Sequence, residues 1–447
     1  MRWFPLVILM TTTLASGVGA ADLTMEEAVA TALENNPTVQ AASERSMAAA
    51  ARSKQAKGHR WFSLDLSEIY SYTNNPAEVF AFKLNQGRFD FGEFTMTDPN
   101  DPDWLTTWIT RAELTVPIYT GGQLGHRIEQ ADHMASAEEL RLAYAREKVV
   151  FDTITAYTNL AKAREQVDLM TASRATTAEH VDIAQAYANQ GLILDAEVLK
   201  AKVFLAQMDE LLAQADNGAR LAEAALNFEM GTDQKIPRQT AALPLPPAIP
   251  GDLDDWVDAA LDRRDDLRAA RLELEAGRLE EKTTKPWYLP EVAATGKYEL
   301  YDDSIFGSNG HSGSVMAFAR LRLFQGGAES ASREAARHEA AAGEADVRRF
   351  EEGVQLEVQQ AWHDLHTSQA RLSTATESLT AAREALRVRE HRFKQGLDKM
   401  IDLLDAETAL REAELRELVA RYDVSLNTYR LLFVSGGSPI QLTEESS

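Results

Sequence analysis

Cysteine is absent from the 447 residues, which excludes disulfides, thiolate metal sites, cysteine nucleophiles and a lipid-anchored N-terminal cysteine. Beyond residue 20 no run of 18 apolar residues occurs, so no transmembrane helix is available there. Positive charge is short: 46 Lys and Arg stand against 69 Asp and Glu, a net charge of −23. Nucleic acid is therefore not an expected partner, since phosphate binding needs clustered cations. No nucleophile elbow, HExxH or phosphate loop appears, so neither an enzyme nor a cofactor is expected. Helix breakers are scarce over two long stretches. From Gln123 to Gln190 there is no proline and only Gly125; from Ala328 to Gln395 there are only Gly343 and Gly353. Helices of that extent would run about 100 Å, far beyond the usual helix of a globular domain.

The chain opens with a recognisable leader. "MRWFPLVILMTTTLASGVGA" has Arg2, an apolar stretch from Trp3 to Leu14, and the small residues Val18, Gly19 and Ala20 at a cleavage point. This is the pattern of a secretory signal peptide rather than of a buried N-terminal helix. Residues 1–20 are set aside from the fold on that basis.

Internal repetition decides the rest of the organisation. "LTVPIYTGG" (114–122) returns as "ARLRLFQGG" (319–327), and the offset of 205 then holds without gaps. "TAYTNL" (155–160) falls on "QAWHDL" (360–365), Gly191 on Gly396, and Gly231 on Gly436. Upstream, "ALENNPTVQAA" (32–42) matches "ALDRRDDLRAA" (260–270), and "RWFSLDL" (60–66) matches "PWYLPEV" (286–292). Between the halves, residues 232–251 hold five of the 14 prolines and read as a connector. The expected organisation is a leader at 1–20, a first repeat at 21–231, the connector at 232–251, a second repeat at 252–436 and a tail at 437–447. Each repeat runs helix, strand, strand, very long helix, helix.

Four runs alternate with period two. They are placed at about 61–73, 104–119, 288–301 and 313–324. Phe62, Leu64, Leu66, Tyr70 and Tyr72 oppose Ser63, Asp65, Ser67 and Ser71; Trp108, Ala112, Leu114, Val116 and Ile118 oppose Arg111, Glu113 and Thr115. An apolar outside and a charged inside is the pattern of a membrane barrel. A soluble sandwich with one wet face has the same alternation, which alone does not separate the two. If the strands lie in lipid, four do not close a pore, and an open edge leaves backbone groups unsatisfied. The barrel must then be shared between chains. In the second long helix Val358, Leu365, Leu372, Leu379, Leu386 and Phe393 recur at intervals of seven, with Ala361, Ala375 and Ala382 beside that row. Such a seam packs supercoiled helices closely; a free-standing dimeric coiled coil would leave the strands unexplained.

Each aromatic with its double glycine, Tyr119 with Gly121 and Gly122 and Phe324 with Gly326 and Gly327, marks the exit of a strand from the membrane into a helix. Tyr119 and Phe324 suit an interfacial belt, as do Trp61, Phe62, Trp287 and Tyr288 at the inner ends of the other strands.

On the strength of "VPIYTGG", its partner "LRLFQGG", "FKQGLDKMIDLLDAETAL" (393–410) and "VFAFKLNQGRFDFGEF" (79–94), the chain resembles the TolC-like outer-membrane efflux proteins over essentially its whole mature length. The resemblance implies a mainly α fold with a membrane β part. It implies a homotrimer with a twelve-stranded barrel in outer-membrane lipid, continued by a periplasmic helical barrel. It implies an exit duct served by a periplasmic adaptor and an inner-membrane transporter. Carried across by position, Gly191, Leu192, Gly396 and Leu397 are the adaptor-docking tips. Asp402 and Asp405 ring the narrowest constriction, and Glu197 is the equivalent of Asp402 in the first repeat. Two positions depart from the family pattern: Arg322 stands opposite Pro117, and Asp398 stands where an arginine able to form a latch is common.

The residues alone leave blander roles open. Asp402 and Asp405 share a helix face and lie in a first turn, where carboxylates favour a helix anyway. His363 and His366 sit mid-helix without an obvious third ligand, so a solvated pair is expected rather than a metal site. "GSNGHSGS" (307–314) reads as a hairpin tip. A trimeric coiled-coil envelope or adhesin protein is the alternative function; it accounts for the helices but not for the aromatic-bounded strands.

Overall fold

The computed structural model describes residues 22–92, 98–284 and 289–437. The leader, Trp287 and Tyr288, and the tail beyond Gly437 lie outside the described residues.

In chain order the elements are α1 (Met25–Asn35), α2 (Pro37–Gly58), β1 (Ser63–Thr73), α3 (Pro76–Asn85), β2 (Leu105–Thr120), α4 (Gln123–Asn189) and α5 (Asp195–Glu229). They continue with α6 (Leu253–Arg263), α7 (Asp265–Thr284), β3 (Glu291–Asp302), β4 (Gly310–Arg320), α8 (Ala328–Lys394) and α9 (Met400–Val434). The order recurs, and so do the lengths: α4 and α8 have 67 residues each, α5 and α9 have 35, and α1 and α6 have 11. The opening helix of each half is split in two; Pro37 marks the break in the first half, whereas nothing comparable marks it in the second. Asn36 and Arg264 take extended backbone at those breaks.

The chain forms two compact units. The first holds α1, the start of α2, residues 144–264 and residues from 354 onward. Thr24 opens α1 with a reciprocal cap: its hydroxyl accepts from the Glu27 amide at 3.2 Å, while the Glu27 carboxylate accepts from the Thr24 amide at 3.0 Å. Asp252 and Asp255 open α6 in the same way. Met25 and Val29 of α1 then bury against Val150, Ile154, Tyr157 and Leu160 of α4, Leu226 of α5 and Tyr429 of α9. The Tyr157 hydroxyl donates to the Leu23 carbonyl at 2.7 Å and also faces that of Ala241 at 3.1 Å. Burial, helped by the charge of Glu26, pushes this phenol up to about 12. Tyr157 therefore stays a neutral donor that ties the entry to α1 to the connector, where Leu23 also bridges Thr240.

The heptad row of α8 is interior: Val358, Leu365, Leu379, Leu386 and Phe393 are buried, with Leu372 half-buried. The helix breaks are held from the far ends of the same halves. Asn36 Nδ2 donates to the carbonyl of Glu229, the last residue of α5, at 2.7 Å; Arg264 Nη1 reaches that of Val434, the last of α9, at 3.5 Å.

The second unit, residues 42–143 and 265–353, contains one antiparallel sheet in the order β1-β2-β3-β4. Its register sorts the side chains into two faces. On one face Ser67, Arg111, Glu299 and Ser312 form a row across the four strands, and Asp65, Glu113, Lys297 and Ser314 form the next. Arg111 meets Glu299 at 2.6 Å, and Lys297 approaches Glu113 at 3.5 Å. The other face carries Leu64, Leu114 and Val315 in one row and Leu66, Ala112 and Tyr298 in the next. Neither face is uniform. Glu68 lies on the apolar one, where Thr110 donates to it at 2.5 Å, and Met316 and Phe318 lie on the polar one. Beside the sheet, α2 is held to α4 by Lys57 and Asp132 at 2.7 Å, and α7 to α8 by Arg278 and Glu344 at 2.7 Å.

Candidate functional site: the ends of the sheet and the tips of the helix hairpins

At one end of the sheet β2 passes into α4 through Gly121 and Gly122, with φ of 63° and 82°, and β4 is followed by Gly326 and Gly327, with φ of 63° and 85°. Left-handed backbone at two successive positions turns the chain abruptly, and only glycine adopts it there without a Cβ clash. Tyr119 pairs with Val292 after a bulge at Pro117, which removes one donor from the ladder. The fourth strand differs from its expected span of 313–324. It runs Gly310–Arg320, because β3 begins at Glu291, opposite Arg320, and offers β4 no partner beyond that point. Leu321, Leu323 and Phe324 are exposed, extra-strand chain, and the hairpin tip falls at 303–309 rather than 307–314.

Trp61, Phe62, Tyr119 and Phe324 are all exposed at this end. A matching group at the opposite end was not singled out from the sequence. Tyr70 packs on Trp108 with ring centroids 4.9 Å apart, and Tyr72 stacks on Trp104 at 4.8 Å. Trp108 and Tyr119 are separated by about 36 Å of strand, which at barrel tilt is about 28 Å of depth, the height of an apolar membrane band. The signal was the pair of tryptophans four residues apart at the start of a strand, Trp104 just before β2 and Trp108 within it, visible only once β1 supplies the stacking tyrosines.

At the hairpin tips, α4 turns into α5 at Gly191 (φ 74°) and α8 into α9 at Gly396 (φ 72°). The Leu192 amide donates to the Tyr187 carbonyl and the Leu397 amide to that of Arg392, each at 2.9 Å, so both helices end in the same six-residue closure. Leu192 and Leu397 are 65% and 62% exposed. Below them Val181 and Ala184, Val198 and Ala201, Leu386 and Phe393, and Met400, Leu403 and Leu404 form one core drawn from all four helices.

Asp402 sits in the first turn of α9, and its Oδ2 accepts from the Lys399 amide at 3.2 Å. It therefore caps its own helix. Asp405, one turn on, is exposed, and Glu197 occupies the matching first turn of α5 half-buried. Among the described residues no hydrogen bond or ion pair joins the three carboxylates. Asp398 is engaged: Arg392 Nη2 lies 2.9 Å and Arg389 Nη1 3.0 Å from its carboxylate, which these guanidiniums hold below the ordinary carboxylate range.

Two polar clusters went unseen in the sequence. His180 of α4 and Glu407 of α9 are buried against each other. Burial opposes charge on this imidazole, and the Glu407 carboxylate at its Nδ1, supported by Glu390 and Glu179, outweighs it and raises its pKa. Glu165 of α4 receives Arg421 at 2.5 Å and the Tyr422 hydroxyl at 2.9 Å, both from α9. His366, by contrast, directs Nδ1 to the carbonyl of Trp362 at 2.9 Å and packs on that ring. Among the described residues no group of three or more acidic, histidine or cysteine side chains is placed to hold a metal ion.

A four-stranded sheet with one apolar face between two aromatic groups, in a chain otherwise made of paired long helices, defines a membrane channel protein of mixed helix and sheet. The chain matches the outer membrane efflux protein family over residues 28–232 and 256–437, and belongs to it. It is similar to the alkaline protease secretion protein AprF of Pseudomonas aeruginosa, 24% identical over 414 residues, covering 91% of this chain and 82% of that one. It is also similar to the outer membrane efflux protein BepC of Brucella suis, 22% identical over 338 residues, with 75% and 73% covered. The fold is shared with the CmeC outer membrane channel of Campylobacter jejuni, at a TM-score of 0.81 and 16% identity over 93% of this chain and 86% of that one. The protein is an outer-membrane channel for efflux or secretion, with a periplasmic helical extension. Members of its family are channels rather than enzymes.

Proposed function

We propose that three copies of this chain close a twelve-stranded barrel in outer-membrane lipid, with their helices forming a periplasmic tunnel through which substrate leaves. The observation that carries this reading is the sheet itself: β1 and β4 are edge strands with no partner among the described residues, on a sheet whose apolar face is exposed. An unpaired edge in hydrocarbon costs several kcal/mol for each backbone group, roughly, so the edges must pair between copies. In this reading the faces bearing Arg111, Glu113, Lys297 and Glu299 line the pore, and Trp61, Phe62, Tyr119 and Phe324 meet the periplasmic interface. The turns at Gly121–Gly122 and Gly326–Gly327 pass strand into helix. The halves 21–231 and 252–436, joined by 232–251, are copies of one ancestral unit.

The exposed tips at Gly191–Leu192 and Gly396–Leu397 dock a periplasmic adaptor, which couples the duct to an inner-membrane transporter. Asp402, Asp405 and Glu197 form the periplasmic constriction. Support for the tips comes from their bare leucines above a well-packed four-helix core. Mass measurement of the detergent-solubilised protein tests the assembly. A trimer is the expected result, and a stable monomer that retains its strands overturns it.

A further inference from the structure

The two hairpin tips share a backbone but not a chemistry. Both close on a left-handed glycine with the same 2.9 Å amide bond, from Leu192 to Tyr187 and from Leu397 to Arg392. Residues 387–399 carry a formal charge of +3, whereas the matched residues 182–194 carry −1, in a chain whose total is −23. The ordinary role for cations at a helix C-terminus is to oppose the helix dipole. Yet the last turn of α4 has no basic residue and closes identically, while that of α8 has His391, Arg392 and Lys394. The positive charge is thus not required to form the turn.

What the charge does is organised by Asp398. Its side chain is only 6% exposed, covered by Arg389 and Arg392, which themselves remain 46% and 48% exposed. A guanidinium has five donors. Asp398 takes Arg389 Nη1 and Arg392 Nε and Nη2, so Arg389 Nε and Nη2 and Arg392 Nη1 are left without a protein partner among the described residues. At the first tip Ala184, Tyr187 and Ile193 stand in the three matched positions and pack into the core instead.

We propose that the α8–α9 tip is a docking surface for an acidic partner segment, with Arg389 and Arg392 receiving a carboxylate beside the apolar contact made by Leu397. The α4–α5 tip, presenting Leu192 and Leu194, is read by apolar contact alone. Asp398 is the positioning residue: it fixes two guanidiniums in the fork geometry that favours carboxylate. The proposal rests on the reading of the tips as docking sites and adds the chemistry of the occupant. It also makes the ring of tips in an assembly chemically alternating, so that a partner is seated in one register.

The test uses the full chain in detergent and two designed helical hairpins of equal length, one bearing Leu and Glu at its tip, the other Leu and Lys. The Glu hairpin is expected to bind at least about tenfold more tightly at low salt, with the preference shrinking as salt rises. Arg389→Gln with Arg392→Gln removes the preference; both side chains are half-exposed, so the fold persists, and unaltered circular dichroism checks this. Equal affinity for the two hairpins, a preference that survives the double substitution, or binding of neither hairpin overturns the proposal. Crosslinking from Leu192 and Leu397 in cells separates the two levels. Crosslinks to a periplasmic protein with no charge preference retain the docking tips and reject the carboxylate; no crosslink from either position rejects the tips as well.

Discussion

At the scale of single residues, the informative groups are charged side chains buried where helices meet. His180 illustrates the sign of such a contribution. Its pKa is raised above the ordinary 6.5 because the contact with Glu407 outweighs burial. The folded state therefore binds the proton more tightly than the unfolded chain. The stabilisation is complete below pH 6.5 and is lost as pH rises through the raised value. His180→Gln should accordingly lower the melting temperature most at pH 6 and least in alkaline buffer. A deficit independent of pH, measured by thermal unfolding across that range, would show that packing rather than charge holds the pair. The sequence gives no hint of this contact, because His180 and Glu407 lie far apart along the chain on helices whose facing sides are set by the core below the tips. Asp398 was closer to legible: Arg389 and Arg392 are three apart on one helix face, but only the left-handed turn at Gly396 folds the carboxylate back onto them.

Among elements, the long helices were the most legible part of the fold. Absence of proline and near absence of glycine placed their ends within one residue of α4 (Gln123–Asn189) and α8 (Ala328–Lys394). The splitting of the first opening helix was legible in Asn36–Pro37, because proline drives the residue before it out of helical backbone; that of the second was not, since no residue typical of a helix stop stands at Arg264 and the break depends on what packs there. That packing yields a second prediction. A Cβ added at Gly231 would lie 2.7 Å from the Asn35 carbonyl carbon and 3.0 Å from the Asn36 nitrogen; one at Gly436 would lie 3.0 Å from the Arg264 nitrogen and 3.1 Å from the Arg263 carbonyl carbon. At the tip glycines, Gly191 and Gly396, nothing lies within 4 Å. All four have positive φ, so alanine costs each about 1 kcal/mol in backbone strain. At Gly231 and Gly436 displaced backbone adds roughly 1–3 kcal/mol more. Melting of the four single alanine variants should sort them into two pairs, and similar losses at all four would mean that the helix breaks yield to the added carbon.

For the whole molecule, the question is where a chain of net charge −23 concentrates its field on the conducting path. On the sheet Arg111 meets Glu299 and Lys297 meets Glu113 across neighbouring strands, which leaves little net charge on that face. The first turn of α9 is different. Asp402 is occupied in part by its bond to the Lys399 amide, while Asp405 is exposed and makes no ion pair among the described residues. If these residues form the constriction, three copies bring six carboxylates around one axis, where like charges repel and cations are drawn in. The capping bond separates the two aspartates experimentally. Asp402→Ala should weaken cation preference and also cost about 1 kcal/mol of stability through the lost cap. Asp405→Ala should change selectivity with stability held within about 0.5 kcal/mol. On the proposed reading, in which the packed core beneath the tips rather than the acids holds the duct closed, the double variant should lose block by multivalent cations while remaining shut. Single-channel recording in planar bilayers, paired with thermal unfolding of each variant, decides between the roles. Selectivity and block unchanged in the double variant, with stability reduced only by Asp402→Ala, would leave both aspartates as ordinary first-turn residues and move the constriction elsewhere along the duct.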